Sequence, residues 1–192
     1  MEQQQRDFLI KLLEAPSPSG FEEPAARVWR QEAESFADEV TVDRNGNSFA
    51  RLRGEGPVVV IEGHVDEIGL MITHIDDDGY LWFRGIGGWD DQVLTGQRVR
   101  ILGRSGQVLG VIGRKPIHLL SEEERGKASR IKDLWIDIGA RSGDEARELV
   151  SVGDPAVLEQ APVELRNNRL VARGIDNRMG AFVALEVLRA LS

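Results

Sequence analysis

The residues most suited to chemistry lie in Gly63-His64-Val65-Asp66-Glu67-Ile68-Gly69, directly after the apolar run Val58-Val59-Val60-Ile61. In extended backbone His64 and Asp66 alternate around Val65, so their side chains point to one face. Imidazole is a ligand for a borderline cation such as Zn²⁺ or Co²⁺. A carboxylate two residues on can hold the other ring N–H and fix the tautomer. A strand end is also where open α/β sheets place ligands. The same residues fit a plain turn with a surface histidine and two solvated acids. A second segment, Arg173-Gly174-Ile175-Asp176-Asn177-Arg178-Met179-Gly180, opens the last helical pattern. Taken alone, Asp176 reads there as an N-cap, and spacing alone does not bring it to His64.

Other segments point away from specific chemistry. Asp76-Asp77-Asp78-Gly79 starts like a calcium loop but lacks the later Glu, so it reads as a hairpin tip. Gly85-Ile86-Gly87-Gly88-Trp89-Asp90 has no following Lys-Ser/Thr and is not a phosphate loop. His74 and His118 read as structural. No Gly-x-Ser-x-Gly is present, against an α/β-type serine hydrolase. The absence of cysteine removes disulfides, thiolate catalysis and Cys-based zinc sites, and fits a reducing compartment.

The elements that must position these residues are legible in part. Phe8, Leu9, Leu12 and Leu13 mark one face of a helix over residues 1–14, ended by Pro16-Ser17-Pro18-Ser19-Gly20. A second helix is predicted from Glu22 to about Asp38, with Pro24 in its first turn and Val28, Trp29, Glu32, Ala33 and Phe36 on its buried side. Asn45-Gly46 predicts a hairpin between Val40–Asp43 and Asn47–Arg53. Val58 to Ile61 is the continuous apolar type that a sheet buries on both faces. From Ile68 to about Val163 short strands alternate with glycine turns, which predicts a small β-barrel or sandwich. Its strands are predicted at 68–75, 80–84, 97–102, 107–112 and 134–138. A charged loop or short helix is expected at 121–132, and a short helix at 143–150. The barrel core should include Leu70, Ile72, Leu81, Phe83, Val99, Ile101, Val108 and Val111. The last helix is predicted over Asp176–Leu191, with Met179, Val183, Leu185, Val187 and Leu188 making apolar contacts.

Composition sets outer bounds. The 192 residues carry 24 Lys+Arg against 32 Asp+Glu, a net charge of −8, with no basic stripe; nucleic acid is therefore not an expected partner. Neither a signal-peptide pattern nor an apolar run of the ~20 residues a membrane span needs is visible. The expectation is a cytoplasmic protein without a membrane partner.

Several segments in order resemble the tetrahedral aminopeptidases, two-metal cytoplasmic peptidases that include glutamyl and deblocking aminopeptidases, some of which carry an endoglucanase label. They are Ser17 to Glu22, Asp43-Arg44-Asn45-Gly46-Asn47, Gly63 to Gly69, Gly87-Gly88-Trp89-Asp90 and Gly96-Gln97-Arg98-Val99. Ile117-His118-Leu119-Leu120, Ile136-Asp137-Ile138-Gly139-Ala140, Val152-Gly153-Asp154 and Gly174 to Arg178 complete the series. The resemblance implies an α/β fold: part of a two-metal aminopeptidase α/β domain (residues 1–67 and 164–192) interrupted by an inserted β-barrel domain (68–163) that serves oligomerisation and substrate access. It implies His64 as terminal ligand of one metal, Asp176 as the carboxylate bridging two, and Asp66 as the catalytic-site acid that orients His64. Two Zn²⁺ or Co²⁺ ions would polarise a scissile carbonyl and lower the pKa of water. The family's glutamate pair, with a further Asp and His, lies downstream of the Asp176 position. Here only the last helix follows, with the single acid Glu186. The chain thus resembles the N-terminal portion of a longer enzyme, expected to be inactive alone, to act on peptides as a homo-oligomer, and to need a C-terminal half, in cis or as a separate chain. Two alternatives are a non-catalytic assembly module built on the barrel and a glycan hydrolase. The latter would need two carboxylates flanking a sugar bond, and only Asp90-Asp91 offers itself.

Overall fold

The computed structural model describes residues 1–104 and 106–192. Along the chain run α1 (Gln3–Glu14), α2 (Glu23–Ala33), β1 (Glu39–Val42), β2 (Ser48–Arg51), β3 (Gly69–Ile75), β4 (Leu81–Ile86) and β5 (Arg98–Gly103). There follow β6 (Gly106–Arg114), α3 (Glu122–Arg125), β7 (Leu134–Asp137), α4 (Gly143–Leu149), β8 (Pro155–Leu158), β9 (Val163–Leu165), β10 (Arg169–Val171) and α5 (Ile175–Leu191). None of these helices is long and apolar enough to cross a membrane. The chain divides into two units, residues 1–67 with 161–192, and residues 68–160.

The first unit is built on helices. Phe8, Leu9, Leu12 and Leu13 are buried on α1, the face their spacing predicts. The helix stops because Ala15 precedes proline and takes an extended conformation. α2 is shorter than predicted: the Ser35 hydroxyl donates to the Glu32 carbonyl, and Ser35 and Phe36 donate backbone bonds three residues back. Such a side-chain competitor draws the last turn tight and ends the helix. Phe8 stacks against Phe182 at 5.7 Å between ring centroids, and Leu12, Leu13, Ala33 and Leu185 complete the core.

β1 and β2 form the predicted hairpin, and β9 pairs with β10 around Asn167 and Asn168. Both of those asparagines have positive φ and, with Arg166, make the three-residue connection between the paired Leu165 and Arg169.

Two further expectations fail in this unit. Val58 to Ile61 is not a buried strand: Val58 and Val59 are each 80% exposed, and the run belongs to no strand among the described residues. The strands described in this unit pair only as β1–β2 and β9–β10, and the run joins neither ribbon. On α5 the buried face is Arg178, Ala181, Phe182 and Leu185, while Met179, Val183 and Val187 are exposed. Arg178 lies on that face because the i, i+3, i+4, i+7 spacing runs through it.

The second unit is a closed antiparallel barrel in the order β3-β4-β7-β6-β5-β8. Leu70, Ile72, Leu81, Phe83, Val99 and Ile101 are buried in it, and Val108 packs against them. Val111 does not: it is 42% exposed, and Ile112 fills the core instead. The register sets Val108 opposite Ile101 and Gly110 opposite Val99, so even-numbered positions of β6 face inward. A bulge between Ile72 and His74 shifts the alternation of β3 and returns Ile75 to the interior. β8 was not predicted as a strand, yet it closes the barrel between β5 and β3. α4 contributes Ala146 to the core, and the Ser142 hydroxyl accepts from Glu145 N at its start. Ser105, in the predicted β5–β6 turn, lies outside the described residues.

Candidate active site

The candidate site lies wholly within the first unit. The segment 62–67 passes close to α5 at Gly63, and the glycine makes the approach possible. A Cβ on Gly63 would lie 2.5 Å from Ala181 N and 2.7 Å from the Gly180 carbonyl carbon, inside any tolerated contact. The close crossing brings His64 Nε2 to 3.4 Å from Asp176 Oδ1.

Asp176 is not the N-cap its position suggested. Gly174, with φ +67°, occupies that place, and Asp176 has extended dihedrals, φ −88° and ψ 105°. Its peptide bond to Asn177 is cis. The local cap role goes to Asn177, whose Oδ1 accepts from Gly180 N at 3.0 Å. Asp176 is released from backbone duty, and its side chain is 97% exposed beside His64.

On the other edge of the ring, His64 Nδ1 lies 2.7 Å from Asp66 Oδ1. Asp66 Oδ2 in turn accepts from the Ser19 hydroxyl. Burial pushes the Asp66 carboxyl up, but the hydrogen bonds from Ser19 and His64 outweigh it and hold the carboxyl below its usual range. With a proton on Nδ1 shared with Asp66, the Nε2 lone pair would face the Asp176 carboxylate. Two acceptors held this close suit a cation between them. An imidazole and a carboxylate are the donor set of a borderline divalent ion.

Beneath these groups lies a buried ionic hub that sequence reading missed. Glu67 Oε1 accepts from Arg178 Nη2 at 3.0 Å, from Ser17 N at 3.1 Å and from Arg173 Nη1. Arg178 is fully buried and also donates through Nε to the Val65 carbonyl at 2.7 Å. Its Nη1 donates to the Leu12 and Leu13 carbonyls, both at 3.0 Å, at the end of α1. Burial draws the Arg178 pKa down, opposed by the Glu67 carboxylate beside it. The hub ties the backbone on both sides of Asp66 to α5 and α1. The signal was present: an arginine at a position whose helical period faces the core needs a buried partner.

Asp76, Trp89 and Glu186 have structural partners instead. Asp76 accepts from Tyr80 N and from Trp82 Nε1, as a hairpin tip should. Trp89 Nε1 donates to the Gly69 carbonyl, so its glycine-rich segment is tied to β3. His74 and His118 are exposed. Glu186 pairs with Arg189 at 3.1 Å and accepts from Gln5. Among the described residues no group of three or more His, Cys, Asp or Glu converges as a metal cage.

Known proteins resemble this chain in sequence and fold. A family model described as M42 glutamyl aminopeptidase matches residues 46–192. The chain is 34% identical over 190 residues to a lysyl aminopeptidase of Pyrococcus furiosus, covering 96% of this chain and 54% of that protein. Among solved structures, a TET aminopeptidase from a marine sediment thaumarchaeon matches with a TM-score of 0.93 at 38% identity, over 98% of this chain and 54% of that one. The Pyrococcus horikoshii TET1 peptidase, described as assembling into a tetrahedron or a large octahedral shell, matches with a TM-score of 0.85 at 38% identity, over 97% and 56%. The chain spans about half the length of the curated relatives it matches.

Proposed function

Because the chain belongs to the M42 glutamyl aminopeptidase family, we propose that it carries part of the site of a metal-dependent aminopeptidase that removes N-terminal residues from peptides. The observation that carries this is the approach of His64 Nε2 to Asp176 Oδ1 at 3.4 Å, with Nδ1 held by Asp66. His64 and Asp176 would hold divalent cations, Zn²⁺ or Co²⁺, with Asp176 bridging a pair. Bound there, such ions supply Lewis acidity that polarises a peptide carbonyl. The protein's own part is positional: Asp66 fixes the tautomer, and the Arg178–Glu67 hub fixes the backbone that carries Val65 to Glu67.

Two ligands do not complete such a site, and turnover also needs a positioned general base, worth a factor of ~10²–10⁴. We expect both to come from a C-terminal half, in cis or as a separate chain. The barrel, residues 68–160, would then serve homo-oligomer assembly and substrate access in a cytoplasmic particle. The prediction is that these 192 residues alone release no chromogenic amine from an aminoacyl anilide above background, with Zn²⁺ or Co²⁺ added. Supplying the C-terminal half of a relative should bring turnover, lost on His64→Ala. Robust turnover by the chain alone, or turnover indifferent to His64→Ala, would overturn the assignment.

One observation favours a second reading, a non-catalytic assembly module: the barrel closes on itself with every strand paired, while the run Val58 to Ile61 stays exposed. Assembly that persists in a His64→Ala, Asp176→Ala chain that never gains turnover would favour it. Nothing favours a glycan hydrolase, since Asp90 accepts from Gln92 N and Asp91 from Ile131 N.

A further inference from the structure

We propose that Ser19 is a positioning residue that sets the tautomer of His64 through Asp66, an assignment that takes its functional meaning from the metal site proposed above. The groups form one line: Ser19 hydroxyl to Asp66 Oδ2, Asp66 Oδ1 to His64 Nδ1, His64 Nε2 facing Asp176 Oδ1. A carboxylate swings broadly about its last torsion unless something holds it. Asp66 is only partly buried, so packing alone does not hold it. The Ser19 hydroxyl occupies one oxygen and leaves the other aimed at the ring. A hydrogen bond to an ionised acceptor is the strong kind.

Ser19 can serve as a fixed point because its loop is docked on the segment it steadies. Ser19 N donates to the Glu67 carbonyl at 3.2 Å, and Glu67 N donates to the Ser17 carbonyl at 3.0 Å. Pro18 and Glu67 thereby form an isolated parallel bridge. Ser17 is buried, and its hydroxyl accepts from Ala25 N in α2 at 2.9 Å. Phe21 N closes the turn onto the Pro18 carbonyl at 2.8 Å. The side chain of Ser19 itself is exposed, so removing its oxygen opens no cavity. Its loss frees Asp66 to rotate, weakens the bond at Nδ1 and lets the proton move to Nε2, where it blocks the lone pair that faces Asp176.

The sequence contains three histidines, so a long-range ¹H–¹⁵N spectrum of the ¹⁵N-labelled chain resolves His64, assigned by its disappearance in His64→Ala. The unsubstituted chain should show His64 in the Nδ1–H form without any metal. Ser19→Ala should move the population toward Nε2–H, with an unchanged unfolding midpoint, and Ser19→Thr should restore it. Co²⁺ titration of the same chains should give binding about tenfold weaker in Ser19→Ala, the scale of losing a group that orients a ligand. An unchanged tautomer in Ser19→Ala, or Ser19→Thr behaving like Ser19→Ala, overturns the role of Ser19 even where Co²⁺ binds. A shifted tautomer in a chain that binds no Co²⁺ supports Ser19 and overturns the metal site instead.

Discussion

The barrel and the helical unit solve the same problem by opposite means. In the barrel the sheet closes, so each strand pairs with a neighbour on both sides, and the interior is aliphatic and aromatic. Among its described residues no buried charged side chain stands in that core. The helical unit has only two separate ribbons, and it holds its loops with carbonyl–guanidinium and carboxylate–guanidinium bonds to the buried Arg178 and Glu67. A closed sheet needs no buried charge to be specific. In this chain the segments without regular partners are tied by buried charges instead, and such charges are strong only when fully satisfied. The candidate site sits in the unit that needs such ties, because the loops that carry polar groups to the surface are the ones no ladder holds.

The sharpest way to break the contrast is Arg178→Ala. It strips a partner from Glu67 and leaves the Val65, Leu12 and Leu13 carbonyls without their donor, for a loss of about 4 kcal/mol. Calorimetry should show one transition falling steeply while another, the barrel's, stays. A single transition moving as a whole would show that the two units do not unfold separately. Leu81→Ala makes the opposite cut, removing a fully buried side chain from the barrel at a cost of about 3 kcal/mol. Residues 68–160 expressed alone should melt cooperatively and lose that amount with the same substitution; a gradual melt would refute self-sufficiency. Gly63→Ala should cost about 2 kcal/mol, since its Cβ meets the Ala181 backbone. It should also weaken Co²⁺ binding by parting His64 from Asp176, whereas unaltered binding in titration would show that this crossing does not position the pair.

The smallest effect belongs to the β1–β2 turn. The Asn47 side chain, opposed by slight desolvation and aided by backbone N–H groups, holds the Asp43 carboxyl below its usual range. A depressed carboxyl stabilises the fold above its unfolded value of ~4. That contribution should fade as pH falls below this value toward the folded one, and Asp43→Asn should flatten the unfolding midpoint over the same window.

Much of the local structure was written in the sequence by periodicity. The spacing of Phe8, Leu9, Leu12 and Leu13 determined which face of α1 is buried, and Asn45-Gly46 determined a hairpin. Alternation placed Leu70, Ile72, Leu81 and Phe83 inside a β-rich unit. It did not settle β6, where Val108 and Val111 both looked apolar enough and only the register against β5 decided for Val108 and Ile112. Hydrophobicity also could not tell that Val58 to Ile61 lies exposed, because burial of a strand depends on neighbours far along the chain. For the site, residue types marked His64, Asp66 and Asp176 as chemically apt, with the order of flanking segments adding the resemblance. Their convergence came only from the crossing of residues 62–67 over α5, where Gly63 offers no side chain to keep the backbones apart. The roles of Arg178, Glu67 and Ser19 were decided there too. A hydrogen bond between residues distant in sequence has no period to betray it, and it exists only once the packing has brought donor and acceptor together.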